Sequence, residues 1–258
     1  MSIVNSFEFN KRLGQNFILD EELLESIAVQ LNLSQADTVV EIGSGAGTLT
    51  RVLARKVKRV VTYEVDKRLA GILETQFEGF KNIKLKFEDA LKADINEGSF
   101  LVVANIPYYI TTPLIWKFME DSRCQRICIL VQDDVARRIV AVQGGKDYGA
   151  LSVGLQAQAE CRILRKVPRG AFKPVPNVDS AFVVIDKKAG VKIPEEFLKK
   201  IFSARRKTIL NALGINKETA RRILAEVGIP ENARPEQISP DKFAELSSKL
   251  AETFPTGE

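Results

Sequence analysis

The sequence predicts an α/β fold with a doubly wound, largely parallel sheet, followed by a smaller all-helical domain. Short β-branched runs alternate with amphipathic stretches over roughly the first 190 residues. Beyond a polar linker at residues 186–190 the pattern becomes wholly helical. A chain of 258 residues is long enough for one large domain and a smaller one. We therefore place the predicted domains at residues 1–190 and 191–258.

The predicted strands are short apolar runs. Most consist almost entirely of apolar residues, as expected for parallel strands covered by helices on both faces. Residues 83–87 instead alternate between apolar and charged side chains, which predicts a more exposed strand. A late apolar run at residues 181–185 is predicted to close the sheet. The predicted buried strands are residues 39–42, 60–63, 101–104 and 127–131.

Helices are predicted between these strands and throughout the C-terminal part. Asp20, with two glutamates after it, is typical of a helix N-terminus. Pro194 and Ser239 predict two further helix starts, and Gly228 predicts a helix end. The helices expected between strands lie near residues 49–56, 67–77, 113–119 and 134–142.

Composition excludes several kinds of chemistry. The chain has no histidine, which rules out Ser-His-Asp and Cys-His catalysis and the common histidine-containing zinc sites. Its three cysteines show no paired spacing, so we expect no metal site and no disulfide framework, and a reducing cytoplasm is the simplest location. The net charge of +5 permits an anionic partner without requiring one.

Targeting signals are not expected either. The N-terminal residues contain no apolar run of the signal-peptide kind. The longest uncharged stretch, residues 98–116, contains Pro107 and Pro113 and could not form a regular membrane helix. We therefore expect a soluble protein without a membrane partner.

A glycine-rich loop follows the first buried strand. Gly43, Gly45 and Gly47 precede a helical stretch, so the backbone can turn sharply and approach a ligand closely. The spacing lacks the third glycine of the dinucleotide fingerprint, because Thr48 occupies that position. The loop alone is a weak signal, and a tight strand-to-helix turn without a ligand remains the alternative.

Acidic residues end the next two strands. Glu64 is positioned to accept hydrogen bonds from ribose hydroxyls, and Asp89 could accept one from the amino group of an adenine. Parallel strands present their carboxyl ends at one edge of a sheet, where such folds bind ligands. Together with the glycine loop, these carboxylates predict a nucleoside-binding site. Taken separately, each could be a solvated loop charge.

The segment Asn105-Ile106-Pro107-Tyr108 follows another strand and is more specific. The Asn105 side-chain oxygen and the Ile106 carbonyl can accept both N–H bonds of an exocyclic amine, favouring a nitrogen whose lone pair points outward. Pro107 fixes the backbone, and Tyr108 offers a ring on which a flipped-out base can stack. A methyl donor that carries its own leaving group would need only positioning and electrostatics. A proline-stiffened junction is the structural alternative.

At this point the sequence closely resembles the small-subunit ribosomal RNA adenine dimethyltransferases, S-adenosylmethionine-dependent enzymes that methylate N6 of two adjacent adenosines. The resemblance covers nearly the whole chain. Many methyltransferases share the glycine loop, whereas the segments around Asn16, Phe172 and Arg205 are typical of far fewer families. The resemblance rests on residues 11–17, 41–47, 63–66, 88–90, 105–108, 146–149, 151–153, 172–180, 202–208 and 234–239.

The resemblance implies a Rossmann-like S-adenosylmethionine-dependent methyltransferase domain with an N-terminal arm, and a helical RNA-binding domain. It implies that Asn105, Ile106, Pro107 and Tyr108 hold the target adenine, with Phe172 as a second stacking face. S-adenosylhomocysteine would be the product. The implied cofactor-binding residues are Asn16, Ile18, Gly43, Gly45, Glu64, Asp89 and Asn105.

Two positions depart from the pattern. Tyr109 stands where many relatives have asparagine, and Ile18 replaces a common leucine.

The implied substrate is a 3′-terminal hairpin of 16S ribosomal RNA in assembling small subunits, methylated by a monomer. Arg205, Arg206 and Lys207 are the expected phosphate contacts. Further basic clusters lie at residues 51–59 and 162–173, and a solvated surface is the alternative for each.

Four other functions share some of these features. A large-subunit RNA adenine N6-methyltransferase would share the cofactor motifs, although residues 205–207 and 234–239 favour the small subunit. A non-catalytic RNA-binding assembly or transcription factor could use the same fold, but the intact segment 105–108 argues against it. An NAD oxidoreductase is disfavoured by the glycine spacing. DNA adenine methyltransferases usually carry a different, prolyl-prolyl-tyrosine core.

Overall fold

The computed structural model describes residues 14–204 and 206–254. The strands are β1 (Phe17–Ile18), β2 (Thr38–Ile42), β3 (Arg59–Tyr63), β4 (Ile83–Lys86), β5 (Phe100–Ala104), β6 (Cys124–Gln132), β7 (Ala159–Val167), β8 (Phe172–Lys173) and β9 (Ser180–Lys187). The α-helices are α1 (Glu21–Gln30), α2 (Thr48–Ala54), α3 (Ala70–Gln76), α4 (Thr111–Glu120), α5 (Asp133–Ile139), α6 (Ala150–Gln156), α7 (Glu195–Ser203), α8 (Ile209–Ala212), α9 (Lys217–Glu226) and α10 (Pro240–Thr253).

The main sheet has seven strands in the order β4-β3-β2-β5-β6-β9-β7. The strands from β4 to β6 pair in parallel, and β9 runs antiparallel to β6. The first half of the sheet therefore presents the carboxyl ends of β4, β3, β2 and β5 side by side at one edge. This places the segments that follow those four strands next to one another. A separate antiparallel pair joins β1 to β8.

The predicted end of the sheet is wrong in one respect. The run at residues 181–185 lies in β9, which sits inside the sheet, and β7 lies beyond it. Charged residues occupy four of the nine positions of β7, so the sequence does not show the alternation expected of a half-buried strand. Lysine and arginine on an edge strand discourage pairing with other chains, which explains why this composition suits the position.

The described residues form two compact units. One contains the chain up to Ala136 together with Ile163–Lys187, and the other contains Arg137–Arg162 together with the chain from Lys188. The predicted domains, 1–190 and 191–258, stay a prediction, and they differ from these units in placing Arg137–Arg162 with the sheet.

Tyr148 shows why these residues group with the C-terminal helices. Its side chain is fully buried and its hydroxyl donates to the Ile238 carbonyl at 2.8 Å. Its ring also packs edge-on against Phe202, with 6.2 Å between the ring centres. These contacts span 54 and 90 positions in the sequence, a separation that local patterns do not reveal.

The core of the first unit follows the predicted patterns. The Asp20 carboxylate accepts a hydrogen bond from the Leu23 backbone and caps α1. Buried Leu24 and Ile27 of α1 belong to the same apolar cluster as Val39 and Val60 of the central strands. Within the described ranges 14–204 and 206–254, no helix combines the length and apolar character needed to cross a membrane.

Candidate active site

A cavity of about 350 Å³ lies at the carboxyl edge of β4, β3, β2 and β5. Its walls are formed by the segments that follow these strands and by residues 14–18, which precede α1. The walls combine apolar side chains, such as those of Ile42 and Leu114, with a small set of carboxylate and amide groups. This mixture is typical of sites that bind a small molecule in a fixed orientation.

The structure brings nearly all of the sequence-predicted site residues together around this cavity. Phe172 and the predicted RNA-binding residues are not among those that line it. The predicted residues that do line the cavity are Asn16, Ile18, Gly43, Gly45, Glu64, Asp89, Asn105, Ile106, Pro107 and Tyr108.

Glu64 holds the glycine loop in place. One carboxylate oxygen accepts from the Gly45 backbone at 3.0 Å, and the other accepts from the Val65 and Asp66 backbones at 2.9 Å each. Burial raises the pKa of Glu64, and these backbone donors oppose that rise. Because each carboxylate oxygen has more than one lone pair, acceptor capacity remains for a ligand hydroxyl.

The glycine loop needs glycine for two physical reasons. Gly45 has φ of 53°, and a Cβ there would lie 3.0 Å from the Phe17 ring. Gly43 has φ of 79°, and a Cβ there would lie 3.2 Å from the Asn105 carbonyl. The loop is therefore packed tightly against Phe17, which lies in the arm formed by residues 14–18, and against the segment after β5.

Glu41 lies beneath the loop and is fully buried. One carboxylate oxygen accepts from the Thr50 hydroxyl at 2.6 Å, while the other has no hydrogen-bond partner among the described residues. Burial raises the pKa of Glu41 to about 7. Glu41 is not among the residues that line the cavity. We therefore expect its ionisation to change the stability of the structure beneath the glycine loop.

Lys117 fixes the loop that contains Asp89. Its ammonium group donates to the carbonyls of Ala90, Leu91 and Ala93 at 2.7, 3.1 and 2.6 Å. Desolvation lowers the pKa of Lys117, and nearby carboxylates oppose that change. Because Asp89, Ala90 and Leu91 all line the cavity, one partly buried cation sets the shape of this wall.

Residues 14–18 close another side of the cavity. The Asn105 amide nitrogen donates to the Asn16 carbonyl at 3.3 Å, and the Asn16 amide donates to the Gly14 carbonyl at 3.1 Å. The Gln15 amide donates to the Asp66 carboxylate at 2.8 Å. The Asn105 side chain thus uses its nitrogen for the arm and keeps its oxygen available as an acceptor.

The Tyr108 side chain is anchored through its hydroxyl group. Its hydroxyl shares a 2.7 Å hydrogen bond with the buried Ser180 hydroxyl at the start of β9. Burial raises the pKa of Tyr108, so the phenol stays neutral at ordinary pH. The ring is half-buried and lines the cavity, and its position is set by a residue 72 positions away.

Phe172 is placed differently from the prediction. Its side chain is only 4% exposed and belongs to the main apolar cluster of the first unit. It pairs with Ile18 across β1 and β8, one strand away from the cavity wall. A base could stack on this ring only after the ring had turned out of the core. The role of Phe172 as a second stacking face therefore stays a prediction, because its ring does not face the cavity here.

The predicted RNA contacts lie in the second unit. Arg206 and Lys207 are exposed, and neither makes an ion pair with another described residue; Arg205 lies outside the described residues. Lys207 lies between α7 and α8, where its backbone N–H donates to the Ala204 carbonyl at 2.8 Å, and α8 begins at Ile209.

The basic cluster at residues 51–59 is largely neutralised within the first unit. Arg51 and Arg55 pair with Glu21 at 2.9 and 2.5 Å. Lys56 pairs with Glu25 at 2.9 Å. This favours the solvated-surface interpretation of the cluster over phosphate contact.

Lys117 and Ser180 were missed by the sequence reasoning. A lysine among the apolar residues of α4 was a usable signal, because a charge beside Leu114, Ile115 and Phe118 needs a buried partner. No comparable signal marks Ser180. In the part of the chain that the structure describes, no group of histidine, cysteine or acidic side chains is arranged to hold a metal ion.

Comparison with known proteins identifies clear relatives. A family model described as ribosomal RNA adenine dimethylase matches residues 6–252. The ribosomal RNA small subunit methyltransferase A of Clostridioides difficile (strain 630) is 40% identical, over 94% of this chain and 91% of that protein. The protein of the same name from Geobacillus sp. (strain WCH70) is also 40% identical, over 95% and 92%.

Solved structures agree on the fold. A dimethyladenosine transferase from Plasmodium falciparum superposes with a TM-score of 0.81 at 23% identity, covering 90% of this chain and 96% of that one. The 23S rRNA methyltransferase ErmE gives 0.73 at 28% identity, covering 91% and 99%. These likenesses confirm the predicted fold class, a Rossmann-like methyltransferase domain with a helical C-terminal part.

We expect Lys117→Met to weaken the binding of S-adenosylhomocysteine, the product form of the predicted cofactor, by about tenfold. The variant leaves three carbonyls of the Asp89 loop without their charged donor, and such a hydrogen bond contributes about 1.5–3 kcal/mol. Calorimetric titration measures the change. Lys84→Met, which removes an exposed lysine from β4, is the matched control. Equal affinities for the two variants would contradict the role of Lys117.

We expect Glu41→Gln to be stabilising above neutral pH. The folded pKa of Glu41, about 7, exceeds its ordinary value of 4.5, so the folded state keeps this proton to higher pH than the unfolded state. The free energy of unfolding should therefore fall by up to about 3 kcal/mol as the pH rises from 4.5 to about 7. Chemical denaturation at pH 5 and pH 8 tests this. Parallel pH profiles for the wild type and Glu41→Gln would contradict it.

Proposed function

This chain belongs to the ribosomal RNA adenine dimethylase family, and we propose that it methylates N6 of two adjacent adenosines in the 3′-terminal hairpin of 16S ribosomal RNA. The observation that carries the proposal is the position of Asn105. It lines the same cavity as Glu64 and Asp89 and keeps an amide oxygen available as an acceptor.

Family membership confirms the predicted enzyme class and cofactor. The protein is an S-adenosylmethionine-dependent methyltransferase. The residues around the cavity fit that cofactor, because the glycine loop approaches closely, the Glu64 carboxylate has acceptor capacity for ribose hydroxyls, and the walls are otherwise mainly apolar. When bound, S-adenosylmethionine supplies an electrophilic methyl group and its own leaving group.

We assign the cofactor contacts to residues from each side of the cavity. Glu64 would hold the ribose, and Asp89 would accept from the adenine amino group. The glycine loop and residues 14–18 would enclose the remainder, with Asn16 and Ile18 on the arm side. The arrangement supports this assignment because all of these groups line one cavity.

The protein's contribution to the reaction is the placement of the target amine. The Asn105 side-chain oxygen and the Ile106 backbone carbonyl would accept the two N–H groups of the adenine, which turns the nitrogen lone pair outward. Pro107 fixes the backbone between them and Tyr108, whose ring would support the base. The hydrogen bond between Tyr108 and Ser180 keeps that ring in place. Positioning of this kind requires no histidine.

The small-subunit substrate is favoured over the large-subunit alternative. Relatives that share 37–40% of their residues with this chain are named small subunit methyltransferases. The large-subunit enzyme ErmE shares 28%. We propose that the substrate is the assembling small subunit, reached in the cytoplasm. As the resemblance implies, we also propose that the enzyme acts as a monomer.

RNA binding would involve the second unit. Arg206 and Lys207 are exposed and make no ion pair with other described residues, so they are suited to phosphate contacts. We propose that they and Arg205 supply sequence-independent affinity, while the segment from Asn105 to Tyr108 selects adenosine. A purely non-catalytic assembly factor would not need that segment, nor its anchoring to Ser180 and Asn16.

The decisive experiment supplies radiolabelled S-adenosylmethionine together with separately purified, unmodified small and large ribosomal subunits. We expect label in dimethyladenosine of the small subunit alone. Label in the large subunit would support the alternative substrate, and the absence of label from both would contradict the proposed activity.

We expect Asn105→Ala to abolish methyl transfer while leaving the affinity for S-adenosylhomocysteine within severalfold. Asn105→Asp keeps an oxygen acceptor but loses the donor to the Asn16 carbonyl, so it should retain more activity than the alanine variant. Single-turnover assays on small subunits measure the activity of both variants. Near-normal turnover by Asn105→Ala would remove this residue from the reaction.

A further inference from the structure

We propose that Tyr109 is a stacking face for the unpaired nucleobase next to the target adenosine, and thus positions the RNA at the mouth of the cavity. This inference rests on the proposed function, because it assumes an RNA substrate with its target base turned out of the strand. It adds a residue whose role the reaction itself does not require.

Tyr109 differs from every other aromatic residue at this cavity. The rings of Phe17 and Tyr63 are 8% and 1% exposed, and Tyr108 is half-buried. Tyr109 lines the same cavity but is 65% exposed. No described residue makes a hydrogen bond with its hydroxyl. Its ring therefore marks the point where the cavity opens to solvent.

The local backbone separates Tyr109 from Tyr108. Residues Tyr108–Ile110 form a single 3₁₀ turn, closed by a 3.2 Å hydrogen bond from the Ile110 backbone to the Pro107 carbonyl. Successive side chains of such a turn point about 120° apart. Since Tyr108 is directed to Ser180, Tyr109 is directed elsewhere, towards Gly14 of the arm.

Gly14 leaves room for the Tyr109 ring beside the arm. A Cβ at Gly14 would lie 3.0 Å from the Pro107 Cβ and 3.6 Å from the Tyr109 Cε1 atom. One edge of the ring therefore faces the backbone of Gly14, while most of its surface stays in water. Because a tyrosine side chain has only two rotatable torsions, such a ring loses little conformational freedom when a planar group stacks on it.

The chemistry that suits this ring is a nucleobase. Stacking on an aromatic side chain contributes about 1–3 kcal/mol per base and tolerates any base, because every base has a π-face. An unpaired base beside a flipped-out adenosine has lost its own neighbour in the stack and can replace it with the ring. Two adjacent aromatic residues, Tyr108 and Tyr109, would then receive two adjacent nucleotides.

The test measures stacking directly. An RNA hairpin of the proposed target sequence carries 2-aminopurine, whose fluorescence is quenched by stacking, at the nucleotide next to the target adenosine. We expect the wild type to quench this probe on binding and Tyr109→Phe to retain the quenching. Tyr109→Ala and Tyr109→Asn should lose it and bind the hairpin at least about fivefold more weakly, as judged by fluorescence anisotropy.

Two further measurements separate stacking from other roles. The affinity for S-adenosylhomocysteine should be the same in all Tyr109 variants. The slope of RNA affinity against salt concentration should also be unchanged, because the loss of a stacked base releases no counterions. Val29→Ala removes an exposed apolar side chain from α1, outside the cavity, and should match the wild type in every assay.

The outcomes are distinct. Retained quenching and RNA affinity within twofold in Tyr109→Ala would overturn the inference. So would a parallel loss of S-adenosylhomocysteine affinity, which would make Tyr109 part of the cofactor wall. A wild type that labels small subunits shows that the proposed function stands even when the Tyr109 inference fails. A wild type that labels no RNA contradicts the proposed function itself.

Discussion

The carboxylate of Glu64 is the interaction on which the rest of the site depends. It accepts three backbone N–H groups, one from the glycine loop after β2 and two from the segment after β3. A buried carboxylate would be costly without such donors, and a glycine loop would have little reason to keep its shape without such an acceptor. The carboxylate and the glycine loop therefore stabilise each other. The cavity beside them has a defined shape before any ligand binds.

Lys117 repeats this solution with the opposite charge. A cation on α4 binds three carbonyls of the loop after β4, just as an anion binds three N–H groups of the neighbouring loops. Irregular backbone cannot satisfy its own polar groups, so a charged side chain from a regular element supplies the missing partner. The site is thus built from irregular segments whose shapes are set by two charged side chains, the buried Glu64 and the partly buried Lys117. Positioning is the main requirement for methyl transfer, which makes this rigidity functional.

Sequence alone could predict those features that depend on a single strand and its end. Glu64, Asp89 and Asn105 were identified because each follows a predicted strand, and parallel strands bring their ends to one edge. Strand β7 was missed because its charges hide its period. The anchoring of Tyr108 and the grouping of Arg137–Arg162 depend on contacts across 72 and 90 positions, as the Ser180 and Ile238 bonds show. Such pairings leave no mark in the local pattern.

The bond between Tyr148 and Ile238 also has a consequence for synthesis of the chain. Tyr148 leaves the ribosome 90 residues before its acceptor, so the core of the second unit cannot be completed until translation is nearly finished. At about 5–20 residues per second, this interval lasts about 5–20 s. During that time the apolar side chains of residues 148–157 lack the partners that later bury them. A protein proposed to serve ribosome maturation therefore completes the core of its own second unit only at the end of its synthesis.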